Sequence, residues 1–282
     1  MQRENSDRDF VKANYESMGG YKIAEILGIS YHSVVNYAVR LGINHNRIFP
    51  PNLNKKEDYF RIWNYDMAYI LGFTISDGYI LDNDRSYALT YGINTKDLEI
   101  LEFIQSQISP DSKIRSYKTF DKRTNKYYDR SQLSIYSKVI VKSLEDLGLI
   151  QAKTGKEVLP DIPEQFRMSF LCGFFDGDGH LRACKKNGYL FEFTCMSESF
   201  LNDLKDKICG GLGKVQPDRG WFKYIIGRKA VCQDLDAKMI ANVSFYLKRK
   251  HFPKDSQIEQ MPKIRKTYIK QSKQEYQIIG TI

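Results

Sequence analysis

The sequence predicts an α+β protein: a small all-α head followed by two αββαββα halves. Three observations carry this expectation. An apolar stretch ending in Asp-Gly occurs twice, at 65–80 and 167–181, with a constant offset of 101 residues from Asp77 to Asp178 and from Gly78 to Gly179. Each copy is followed by the same succession of alternating, strand-like runs and amphipathic, helix-like runs. Residues 8–42 carry a different and wholly helical pattern.

Composition limits the classes to consider. Of 282 residues, 42% are hydrophobic and 27% charged, enough to build a core and unlike a disordered chain. Lys+Arg 43 against Asp+Glu 34 leaves a charge of +9, which points to a polyanionic partner, nucleic acid or an acidic membrane surface. The 19 tyrosines suit phosphate contacts and base stacking as well as a core. Cys172, Cys184, Cys195, Cys209 and Cys232 form no CxxC pair and are odd in number, so a disulfide framework or zinc knuckle is not expected and a reducing cytosol is. The start MQRENSDRDF lacks an apolar signal core, and no apolar run approaches roughly 20 residues. The expected location is therefore cytoplasmic, without membrane contact.

In chain order, residues 1–48 are expected to form the head. YKIAEILGISYHSVVNYAVRLG reads as two short helices around a Gly-Ile-Ser turn, with Ala24 at their close approach, Gly28 supplying a positive φ and Ser30 capping the second helix. Ile23, Leu27, Ile29, Val34 and Tyr37 fall on the inner face of a helix-turn-helix. Tyr31, His32, Ser33, Asn36 and Arg40 would then face outward, toward phosphates or base edges. Residues 49–64, with Pro50-Pro51, form a linker. The first half spans 65–160, and the second spans 161–282 with a C-terminal tail.

The two Asp-Gly segments hold the chemistry. Gly72 and Ser76 are one helical turn apart, as are Gly173 and Gly177, so each helix has a small-residue stripe on one face. Such stripes let two helices pack with their backbones close together. Their C-terminal ends would then bring Asp77 and Asp178 together. Two carboxylates at two negative helix ends repel one another unless a cation lies between them. Oxygen-only ligation of this kind suits Mg²⁺ completed by water and a substrate phosphate, with Mn²⁺ as a substitute, and such an ion drives phosphodiester hydrolysis. Gly78 and Gly179 turn each helix cheaply into its sheet.

At ILGFTISDG (70–78) and LCGFFDGDG (171–179) the chain resembles the LAGLIDADG homing endonucleases of the single-chain, two-motif type, over about residues 60–255. The resemblance implies two pseudo-symmetric halves whose antiparallel sheets form a saddle over double-stranded DNA, with the motif helices at their interface. It implies a monomer needing no protein partner. It assigns metal binding and catalysis to Asp77 and Asp178, with backbone oxygens around Gly78 or Gly179 as further metal ligands. The activity it implies is cleavage of both strands across the minor groove of a long target, leaving short 3′ overhangs. Such genes lie in introns or inteins or stand free, in phages, bacteria and organelles. The sixth motif position departs from the family pattern in the first copy: it is Ile75 there and Asp176 in the second.

The family also places a lysine after the last helix of each half, here Lys153 in LGLIQAKTGK and Lys250 in SFYLKRKHF, with Lys248 and Arg249 adjacent. Each could orient water or stabilise developing charge. For the DNA face, Tyr128, Arg130 and Gln132 share one side of a strand by alternation, joined by Arg115 and Tyr117 and by Lys122, Arg123 and Lys126 around the hairpin loop. In the second half Arg219, Trp221 and Lys223 are expected to do the same, with Arg182 and Lys186 just after the motif. Arg and Gln suit base edges, whereas Lys and Tyr suit phosphates. Two other readings share this scaffold: a DNA-binding regulator that does not cut, and an RNA maturase.

Overall fold

The computed structural model describes residues 2–43, 54–83, 86–184 and 188–252. The chain divides into two compact units at Lys55–Lys56. Lys186 and the tail beyond residue 252 lie outside the described residues.

The first unit is helical. Helix α1 (Gln2–Leu27) is interrupted at Gly19, whose φ of 74° and ψ of 153° leave the helical region; α2 (Tyr31–Arg40) follows. Gly28 takes a φ of +62° in the turn between them, a conformation that glycine adopts without penalty. The Ser30 side chain caps α2 by accepting from the Ser33 amide at 3.0 Å. Val11, Tyr15, Ile23, Ala24, Val34 and Ala38 form the core of this unit, bordered by Leu27, Ile29 and Tyr37.

The second unit has the order α3 (Tyr65–Asp77), β1 (Gly78–Asn83), β2 (Ser86–Asn94), α4 (Leu98–Ile108), β3 (Ile114–Asp121), β4 (Lys126–Tyr136), α5 (Lys138–Asp146), and then α6 (Arg167–Asp178), β5 (Gly179–Cys184), β6 (Gly188–Cys195), α7 (Glu198–Asp203), β7 (Lys214–Asp218), β8 (Trp221–Gly227), α8 (Lys229–Ile240). This is αββαββα twice over. The two antiparallel sheets are ordered β1-β2-β4-β3 and β5-β6-β8-β7, the same topology in each half. Asn64 caps α3 and Ser137 caps α5, each accepting from an amide three residues on, so polar residues set where these helices begin.

Alternation decides which sheet face is wet. Leu89, Tyr91, Ile93, Leu133 and Ile135 are buried on one face of the first sheet, and Phe191, Phe193, Tyr224 and Ile226 on one face of the second. All belong to one continuous core with α3 and α6. Beyond Ser131 the β3–β4 hairpin outruns the core and is exposed on both faces.

Helices α3 and α6 lie against each other at backbone distance. A Cβ at Gly72 would collide with the Phe170 carbonyl oxygen, and one at Gly173 with the Tyr69 carbonyl oxygen. No helix among the described residues is long and apolar enough to cross a membrane.

Candidate active site

Each motif helix ends on its aspartate. Asp77 is the last residue of α3 and Asp178 the last of α6, so both sit where the helix dipole is negative. The close approach of the helices puts the two ends side by side: a Cβ at Gly177 would meet the Ser76 side chain and lie 2.6 Å from Asp77 Oδ2. Both aspartates are exposed on one side and hemmed by protein on the other. That crowding raises the pKa of Asp178 to about 6, with the charge of Asp77 adding to it. Crowding raises Asp77 as well, against the pull of Lys250 and Lys153. Both carboxylates are thus crowded by protein at adjoining helix ends, an environment that disfavours their charged form unless a cation compensates it.

The two lysines are placed with the same pseudo-symmetry. Lys153 Nζ donates to Thr74 O at 3.0 Å and to Gly78 O. Lys250 Nζ donates to Gly177 O at 2.7 Å, Gly179 O at 3.2 Å and Phe175 O at 3.4 Å. Each ammonium thus caps the C-terminal carbonyls of one motif helix. Burial holds both lysine pKa values below the usual range, opposed by the two aspartates. The carbonyls of Gly78 and Gly179 each accept from one of these ammonium groups.

Asp176 and Ile75, equivalent by the repeat, are both buried but differ in consequence. Asp176 accepts from Tyr69 Oη at 2.7 Å and from the Leu247 amide at 2.8 Å, and its other oxygen lies 3.0 Å from His251 Nε2. His251 Nδ1 lies 2.6 Å from Asp236 Oδ1 on α8. Cys172 Sγ stands 3.9 Å from Nε2. Cys172, Asp176 and His251 are close enough to gather a metal ion, yet their polar atoms already bind one another, and the cluster reads as a hydrogen-bonded relay. The sequence contained one signal for it: Asp236 occupies the same stripe of α8 as Cys232, Leu235 and Met239, a core register in which a lone carboxylate needs a partner.

This relay makes a pH prediction. Burial alone would lower the His251 pKa, but hydrogen bonds to Asp176 and Asp236 and their charges push it up to about 9. The folded protein therefore binds this proton more tightly than the unfolded chain does. The stabilisation is complete below about pH 6.5 and is lost as pH rises through the folded value, a loss of about 3 kcal/mol. Between pH 6.5 and pH 10 the wild type should lose roughly 6–12 °C of Tm beyond what His251→Leu loses. Parallel pH profiles for the two proteins would refute the proton bridge.

The remaining predicted residues divide between free and engaged. In the first unit His32, Asn36 and Arg40 are exposed. Tyr31 instead stacks on Tyr21, centroids 4.0 Å apart, and packs on the core, because stacking removes apolar ring surface from water. Ser33 Oγ is shared with Ser30 Oγ at 2.8 Å. On the first sheet, strand register places Arg115 opposite Gln132 and Tyr117 opposite Arg130, all on the face away from the core. Arg115, Tyr117, Lys122, Arg123, Lys126, Tyr128 and Arg130 are exposed and Gln132 is half-buried.

The second sheet differs from expectation. Arg182 is bonded to Glu192 through Nε at 3.2 Å and Nη2 at 2.5 Å. Lys223 pairs with Asp218 at 2.6 Å, and Trp221 Nε1 donates to the same carboxylate at 3.2 Å. Arg219 does not share their strand face, because it lies in the turn before β8 with a φ of +50°. Arg249 is taken up by Asp97 of the first half, through Nε at 2.6 Å and Nη2 at 2.7 Å. This bidentate fork holds the guanidinium in plane and joins the two halves rather than leaving the arginine free. Lys248 is exposed.

Residues 165–208 match a family model described as the LAGLIDADG-like domain. Among solved structures, the chain is similar to the homing endonuclease I-WcaI bound to its DNA recognition sequence (14% identity, 75% of this chain and 99% of that one, TM-score 0.48). It is also similar to the LAGLIDADG meganuclease I-AabMI bound to uncleaved DNA (15%, 67% and 87%, TM-score 0.46), and to the meganuclease I-SmaMI bound to uncleaveable DNA (15%, 64% and 85%, TM-score 0.44). No curated protein gives a significant match.

Proposed function

We propose that this chain, whose second half carries a LAGLIDADG-like domain, is a site-specific endonuclease. In this reading it hydrolyses both strands of a long DNA target and leaves short 3′ overhangs. The observation that carries the reading is the convergence of Asp77 and Asp178 on two helix ends pressed together through Gly72 and Gly173, with a lysine on each side. The donor set fits Mg²⁺: two carboxylates that reach the surface at adjoining helix ends. Asp77 and Asp178 would hold it, and it supplies charge stabilisation for phosphodiester hydrolysis.

The chain's own residues do the rest. Lys153 and Lys250, pinned by carbonyls, keep positive charge beside the scissile phosphates without being drawn into the metal site. The outer face of the first sheet, with Arg115, Tyr117, Arg130 and Gln132, reads or holds the duplex. The presence of both acids argues for cutting rather than for a regulator that only binds. A competition test with a fragment library of random DNA and Mg²⁺, scored by recovered double-strand ends, checks the reading.

The first unit extends the site in this account. Because a tethered module raises effective concentration, deleting residues 1–48 should weaken target binding on the order of a hundredfold and shorten the protected stretch. An unchanged footprint would make the unit a packing element only.

A further inference from the structure

Lys153 and Lys250 bind equivalent carbonyls, but the segments that carry them are held very differently. Leu247–Phe252 is tied down on both sides of Lys250. The Leu247 amide donates to Asp176 Oδ2 at 2.8 Å, and the Phe252 amide donates to Asp236 Oδ2 at 3.2 Å. The His251 ring, wholly buried, spans the two carboxylates through both nitrogens. Carboxylates only accept, so both ring nitrogens must donate and the ring is an imidazolium. One cation between two anions, each also bonded to backbone, is a rigid joint linking α6, α8 and the lysine segment.

The first half has no such joint. Ile75 occupies the place of Asp176, and residues 150–156 contain no histidine. There Gln151 accepts from the exposed Asp82 amide at 3.3 Å, and Ala152 adopts a φ of +53° beside Lys153.

We infer that His251 is a positioning residue for Lys250: clamped between Asp176 and Asp236, it presets the second-half lysine, while the first-half lysine, held by its carbonyl contacts and by the Lys156 amide donating to its own carbonyl, has no buried ion pair behind it. The importance of Lys250 to DNA cleavage rests on the proposed function, but the positioning itself does not. In the proposed function the two scissile phosphates are served by one ammonium backed by a buried ion pair and one without it.

The test is trace acetylation of the full-length protein with acetic anhydride, without DNA or metal, followed by mass spectrometry of each lysine. Exposed Lys248 serves as the internal standard. In the wild type Lys250 should react about tenfold more slowly than Lys248, because its amine is reached only when the segment opens. In His251→Leu the rate at Lys250 should rise roughly fivefold or more, with Lys153 unchanged within about twofold. Asp236→Asn, which keeps the side-chain shape, should give the same selectivity and stands in if the leucine variant does not fold. Unchanged Lys250 reactivity in a folded variant overturns the inference, as does a parallel rise at Lys153, which would mean general loosening. Failure to find DNA cleavage would remove the nuclease reading and leave this result readable.

Discussion

If the proposed nuclease reading holds, replacing Asp77 or Asp178 by Asn is expected to reduce Mg²⁺-dependent DNA cleavage by roughly a thousandfold or more, because each removes one of the two proposed ligands of an ion supplying several kcal/mol of charge stabilisation. DNA binding should survive in both variants. Each substitution also removes a carboxylate whose ionisation is opposed by its surroundings, so without metal the variants should be no less stable than the wild type. Cleavage and filter-binding assays on one target separate the two effects. Full cleavage by either variant would show that its carboxylate is dispensable.

The second large effect concerns the helix contact. A Cβ at Gly173 would strike the Tyr69 carbonyl oxygen and lie 2.7 Å from its carbon. Both obstacles are backbone, so α3 and α6 must move apart to admit it. Gly173→Ala should cost about 3 kcal/mol, and for a body of this size that lowers Tm by roughly 6–12 °C. Gly177→Ala would meet the side chains of Ser76 and Asp77 instead, which can rotate away. It should cost less stability but displace the Asp77 carboxylate. Gly92→Ala, with nothing within 4 Å, is the neutral control. A Gly173→Ala variant melting with the wild type would contradict the backbone contact.

Much of this was legible in the sequence because it is periodic or repeated. The offset from Asp77 to Asp178 predicted two equivalent halves, and the small-residue spacing at Gly72 and Gly173 predicted the packed helices. Alternation in YYDRSQLSIY predicted which side chains leave the core, and the Ser30 cap was visible from its place before an amphipathic run. Contacts between distant, singly occurring residues were not legible. His251, Asp176 and Asp236 come from three elements, and although the core register of Asp236 on α8 calls for a partner, nothing local says which residues supply it. The pairing of basic residues was hidden for a related reason: Arg249, Arg182 and Lys223 meet Asp97, Glu192 and Asp218 across strands or halves. Among the described residues the first sheet and its β3–β4 hairpin carry exposed Arg115, Lys122, Arg123, Lys126 and Arg130.

This leaves an asymmetric protein built from a symmetric plan. The motif aspartates and the lysine contacts repeat, whereas the relay behind Lys250 and the Asp97–Arg249 fork do not.

The most direct measurement is strand-resolved cleavage by the wild-type protein of a target selected from random DNA, with both ends sequenced. With Mg²⁺, breaks are expected in both strands, staggered to leave 3′ overhangs and abolished by EDTA. Tight, sequence-specific binding with neither strand broken at saturating Mg²⁺ would contradict that expectation.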